Sequence, residues 1–177
     1  MWRVPGVPQV TSRAGMRMLA GQSNPTWHYA AGRWPNKVGL LLGPSYFKKQ
    51  ALRPWLPYAL DNDAFTCWQQ QKEWSEPAWL EMLQWARMTG YKPMWVIVPD
   101  VVANRQATLE RWKRYAPIVD EIGWPKAFAV QDGMTPSDVP EAASVVFLGG
   151  HRPIQVANRK DLGEQLSPRA CWARQQH

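Results

Sequence analysis

Five short apolar runs, each closed at once by a polar residue or a glycine, constrain this chain more than any other feature. They are 38–42 before Gly43-Pro44, 58–60 before Asp61, 94–98 before Pro99-Asp100, 127–130 before Gln131 and 145–148 before Gly149-Gly150. Short runs that stay apolar without alternating are the pattern of strands buried on both faces. The segments between them have a different period. Ser75 is a candidate N-cap with Glu76 and Pro77 in the first turn, after which Trp79, Leu80, Leu83 and Ala86 recur at helical spacing up to Gly90. Asn104 can cap a second helix, whose Leu109, Trp112, Ala116 and Val119 form an apolar stripe that ends before Gly123. Residues 136–143 suit a short helical turn. Strands separated by helices require parallel pairing, so the expected fold class is α/β with a mainly parallel sheet.

In a parallel sheet the carboxyl ends of all strands lie on one side, so Asp61, Asp100, Gln131 and Gly149-Gly150 should share one edge. Each has a structural explanation when taken singly, because Asp after a strand often caps a helix and Gly-Gly often makes a turn. Their convergence carries the functional case. Two carboxylates, one amide and backbone N–H groups suit a planar heterocycle with donors and acceptors on its edge. For a guanine-like base, N1–H and the exocyclic amine donate to a carboxylate, and O6 accepts from an amide or a backbone N–H. Asp63 and Asp132, close to the proposed site, are assigned structural roles.

The net charge of +7 is unevenly spread. Residues 1–36 carry four Arg and no acid, residues 151–177 carry five basic and two acidic residues, and 37–150 has twelve of each sign. Basic flanks can neutralise phosphates, although solvated ends account for them equally simply. Pro5, Pro8, Gly15, Gly21, Pro25 and Pro35 interrupt the first segment and predict an irregular lead-in. Neither a signal peptide nor a membrane span is visible, so a soluble cytoplasmic protein is expected. Cys67 and Cys171 are far apart and read as ordinary thiols, and His28 has no partner at ligand spacing, so no metal site is expected.

The strings Ala59-Leu60-Asp61-Asn62-Asp63-Ala64-Phe65, Val98-Pro99-Asp100-Val101-Val102, Ala107-Thr108-Leu109-Glu110-Arg111-Trp112, Val130-Gln131-Asp132-Gly133-Met134 and Phe147-Leu148-Gly149-Gly150 occur in this order. Together they resemble the ordered motifs of the tRNA-guanine transglycosylase-like family, in its DNA-modifying branch of DeoxyPurine in DNA protein A homologues. The resemblance covers about residues 37–150. It implies a TIM-like β/α barrel and an exchange of guanine in a polynucleotide for a 7-deazaguanine such as 7-cyano-7-deazaguanine (preQ0), without a redox or nucleotide cofactor. It further implies a nucleophilic aspartate that attacks the sugar C1′ and forms a covalent intermediate. By the same resemblance Asp61 assists proton transfer and site organisation, while Asp100, Gln131, Gly149 and Gly150 recognise the base.

The chain departs from the family at Asp63, where the family has Gly, and from His151 onward, where a basic, Gln-rich segment replaces the usual continuation. A complete barrel takes about 250 residues, so the expectation is a partial barrel over 37–150, with a basic lead-in at 1–36 and a divergent tail at 151–177. The segment carrying the nucleophile is then missing, Asp161 is not assigned that role, and exchange by the chain alone is not expected. Another chain completing the barrel is an expected partner, beside DNA and the 7-deazaguanine base. Two alternatives remain at this level. One is a tRNA-directed transglycosylase. The other is a noncatalytic nucleic-acid-binding or accessory protein using Arg3, Arg13, Arg17, Arg33, Arg152 and Arg159, with Trp27 and Trp34 at the surface and Trp79, Trp95 and Trp112 as packing residues.

Overall fold

Seven strands lie side by side in the order in which the chain makes them, and every neighbouring pair is parallel. They are β1 (Met18–Ala20), β2 (Val38–Leu42), β3 (Tyr58–Leu60), β4 (Val96–Ile97), β5 (Lys126–Val130), β6 (Val145–Leu148) and β7 (Ala170–Ala173). The computed structural model from which they are taken describes residues 17–21, 25–49, 52–53, 55–149 and 170–173. Helix α1 (Pro25–Arg33) connects β1 to β2, α2 (Ala64–Gln69) and α3 (Glu76–Met88) connect β3 to β4, and α4 (Arg105–Ile122) connects β4 to β5. Single 3-10 turns at Phe47–Lys49 and Pro136–Asp138 lie in the two remaining crossovers between β2 and β6. The sheet curls into a half-barrel, so the fold is α/β and a partial TIM-like barrel.

Alternation along the strands divides the apolar residues between two faces. Leu40, Leu42, Tyr58, Leu60, Val96, Val98, Phe128, Val130, Val146 and Leu148 pack outward against the helices, where they meet Trp79, Met82 and Leu83 of α3 and Trp112, Ala116 and Val119 of α4. Ala59, Trp95, Ile97, Ala127, Ala129, Val145 and Phe147 form a smaller cluster on the concave face. With both faces covered by apolar neighbours, the strands need no polar alternation, which is why they read as continuous apolar runs. Trp79, Trp95 and Trp112 are buried packing residues.

The helix ends follow from local chemistry. Ser75 Oγ accepts from Ala78 N–H at 3.3 Å, and Asn104 Oδ1 accepts from Ala107 N–H at 3.0 Å, each satisfying an amide that the first turn leaves open. Gly123 ends α4 at φ 74°, a left-handed conformation that costs glycine little.

The lead-in at 1–36 is not irregular throughout. β1 escapes notice because three residues are too few to establish a period. Pro25, read as an interruption, instead opens α1, where its fixed φ suits the first helical position and its missing N–H costs nothing. Trp27 is not a surface residue either: its indole N–H donates to Gly39 O at 3.0 Å and ties α1 to β2. Trp34 is exposed. At the other edge β7 pairs with β6 inside the segment expected to be a divergent tail, so the sheet extends past 37–150 on both sides. Among the described residues no helix is long and apolar enough to cross a membrane.

Candidate functional site

Asp61, Asp100, Gln131 and Gly149 follow β3, β4, β5 and β6, and the parallel order brings all four to the carboxyl edge of the sheet. They line one pocket together with Phe65, Ile97, Val102 and Phe147. Its empty space is about 320 Å³, including the part that opens to solvent, which is the lower end of the range for small-molecule sites. The placement has a simple origin. Asp61, Gln131 and Gly149 continue the strand parity of the inward-facing Ala59, Ala129 and Phe147. Gly150 lies outside the described residues.

The pocket floor is a chain of hydrogen bonds centred on the Asp100 carboxylate. Asn62 Nδ2 donates to Asp100 Oδ1 at 2.7 Å, and Gln131 Nε2 donates to Asp100 Oδ2 at 2.7 Å. The outer ends of both amides are also held: Asn62 Oδ1 accepts from Ala64 N–H at 2.8 Å, and Gln131 Oε1 accepts from Ala103 N–H at 3.0 Å. Asn62 Nδ2 bonds Val98 O as well, at 3.1 Å, and Arg111 donates to Asp100 O at 2.6 Å while its guanidinium lies over the Trp74 ring. Asp61 Oδ1 accepts from the Asn62 N–H at 2.9 Å. Each carboxylate oxygen can accept twice and each amide nitrogen carries two protons. Asp100 therefore retains acceptor capacity on both oxygens, and Gln131 retains one N–H.

Asn62 is the residue that sequence reasoning missed. It is only 1 % exposed and links the Asp61 and Asp100 segments. Its signal was its place between two acidic residues directly after a strand, where a carboxamide can join groups that would otherwise repel. Arg111 was likewise legible only as part of a string.

Gly149 does not offer the backbone donor expected of it, because its N–H bonds Val130 O at 2.9 Å. Its contribution is the lack of a side chain: a Cβ there would lie 3.1 Å from Val130 O and 3.2 Å from Gln131 Nε2. Asp63 stays out of the pocket. It adopts φ 59°, a conformation that favours glycine, and its carboxylate accepts from Ser45 N–H at 2.7 Å. That carboxylate fills the space beside Gly43, where a Cβ would fall 2.0 Å from Asp63 Oδ1. Cys67, one turn along α2, is not poised as a nucleophile, since burial first and the Asp63 carboxylate second push its thiol up.

Of the arginines considered for a nucleic-acid surface, Arg3, Arg13, Arg152 and Arg159 lie outside the described residues, as does Asp161. Arg17 is engaged with Asn36 O and Met94 Sδ, and Arg33 lies over the Trp34 ring. Among the described residues no group of three or more His, Cys, Asp or Glu side chains is placed to hold a metal ion. Comparison of the chain with protein-family models, with curated proteins and with solved structures gives no match.

Proposed function

We propose that the pocket binds a guanine or 7-deazaguanine base and that the chain is a base-recognising half-barrel of the nucleic-acid guanine transglycosylase type, acting on DNA. The observation that carries this reading is the Asp100 carboxylate fixed between two amides on the floor of the pocket. Held in that plane, Asp100 accepts from N1–H and the 2-amino group of the base, while the second Nε2 proton of Gln131 donates to O6. Asp61, across the same pocket, is suited to move the proton that a departing or incoming base must gain or lose. The choice of DNA rests on the motif resemblance.

Asp61 and Asp100 are the carboxylates lining the pocket among the described residues. With Asp100 serving as an acceptor and Asp61 as a proton carrier, no further carboxylate there is available to hold the sugar. The chain by itself is therefore expected to bind the base without exchanging it. Calorimetry with preQ0 tests the binding. Asp100→Ala should weaken affinity by about tenfold to a hundredfold, the effect of leaving one or two polar groups of the base unpaired. Asp138→Ala, outside the pocket, should leave it unchanged. Equal affinities for both variants and the parent reject the assignment. Label from preQ0 appearing in DNA over several turnovers would reject the binding-only part.

A further inference from the structure

The aromatic lining of the pocket does not stop at its mouth. Phe65, a lining residue, and Trp68 stand three residues apart on α2, on one face of the helix. Their rings are stacked, with centroids 5.7 Å apart and planes inclined by 28°. The inner ring is half-buried, whereas Trp68 is 43 % exposed. A large apolar ring held by a neighbour and still open to water loses little freedom when a planar partner lies on it. The surroundings carry positive charge suited to a phosphate: Lys72 and Arg111 both act electrostatically on Cys67, which lies between Phe65 and Trp68 in sequence, and Lys72 is exposed.

We infer that Trp68 is a second nucleobase subsite, which stacks the base of the nucleotide adjoining the one whose base enters the pocket. The inference rests on the base-binding reading of that pocket and adds its polymer contact. A base removed from its stack exposes the face of its neighbour, and an aromatic ring replaces that lost stacking whatever the neighbour's identity. The subsite therefore provides preference for a polynucleotide over a free base, with little sequence selectivity.

The test compares free guanine with a guanine-centred single-stranded trideoxynucleotide, binding each to the full chain by calorimetry. Trp68→Ala should weaken the trinucleotide on the order of tenfold, as loss of one stacked base does, and leave free guanine unchanged. Trp68→Tyr, which keeps a ring, should restore most of the difference. Asp100→Ala should weaken both ligands. If Trp68→Ala leaves the trinucleotide unaffected while Asp100→Ala weakens it, the subsite is wrong and the pocket stands. Equal weakening of both ligands by Trp68→Ala would make Trp68 a support for Phe65 and overturn the subsite too. A parent that binds the trinucleotide no better than the free base overturns it directly. Failure of Asp100→Ala to change free guanine binding is a separate result that overturns the pocket reading.

Discussion

Asn62 joins the Asp61 and Asp100 segments, and its replacement tests the pocket floor apart from any ligand. Asn62→Ala deletes three hydrogen bonds made by the side chain, to Val98 O, Asp100 Oδ1 and Ala64 N–H. Two are between neutral groups and contribute about 1 kcal/mol each, and the bond to the carboxylate contributes about 2, so the loss is about 4 kcal/mol. For a domain stable by about 5–15 kcal/mol, that is a large fraction. Asn62→Asp keeps the shape but places a carboxylate oxygen where Nδ2 stood, 2.7 Å from Asp100 Oδ1. Two full charges at that separation repel by about 6 kcal/mol at an effective dielectric of about 20. A shared proton relieves the repulsion, so the folded variant retains a proton that the unfolded chain has released above about pH 4. Because the folded state then binds more protons, stability falls as pH rises, by about 1.4 kcal/mol per pH unit until the proton leaves. Urea unfolding of the parent and both variants from pH 4.5 to 7.5 measures this. The Asn62→Ala deficit should stay nearly constant and the Asn62→Asp deficit should grow with pH. A deficit below 1 kcal/mol for the first, or one independent of pH for the second, refutes the bridging role.

Gly43→Ala should cost about 2–4 kcal/mol, because its Cβ displaces the Asp63 carboxylate and breaks the bond to Ser45 N–H. Combining it with Asp63→Gly should recover much of that loss, and additive thermal shifts in the cycle would show that the two residues do not compete for one space. At Asp138, hydrogen bonds from the Arg105 guanidinium first and the Thr135 N–H second hold the carboxyl down to about 2. A depressed folded-state value gives stability that is present above the unfolded value near 4 and lost as pH falls toward 2. The stability gap between the parent and Asp138→Asn should therefore be open at pH 6 and closed at pH 2; a gap that persists at pH 2 rejects the charge-assisted contact.

The fold was legible where apolar runs and caps agreed. Strands at 58–60 and 145–148 and the N-caps Ser75 and Asn104 fall where their residues indicated. The common edge of Asp61, Asp100, Gln131 and Gly149 followed from parallel topology alone. What stayed hidden depends on partners distant in the chain. β1 and β7 have too few residues to announce themselves and become strands by pairing with β2 and β6. The Asn62 bridge spans 38 positions to Asp100, and no local pattern encodes it. The Gly149 amide looked available to a ligand because nothing in Gly-Gly reveals that Val130 O faces it across the β5–β6 ladder.

The linear strand order also bears on how the chain reaches this state. Each strand pairs with its sequence neighbours, and the paired residues are from 18 positions apart, as for Leu40 and Tyr58, to 36 apart, as for Leu60 and Val96. Loop closure on that scale costs little more for the longest ladder than for the shortest, since the cost grows only with the logarithm of length. Assembly can then proceed by accretion, one strand and its crossover at a time, with every added unit burying the edge left by the one before. The Asp100 network completes late in such a sequence, because its donors arrive with β3 and β5 on either side of β4. The pocket floor is thus a checkpoint of maturation: its buried carboxylate is stabilised only in molecules whose central strands have already docked in register.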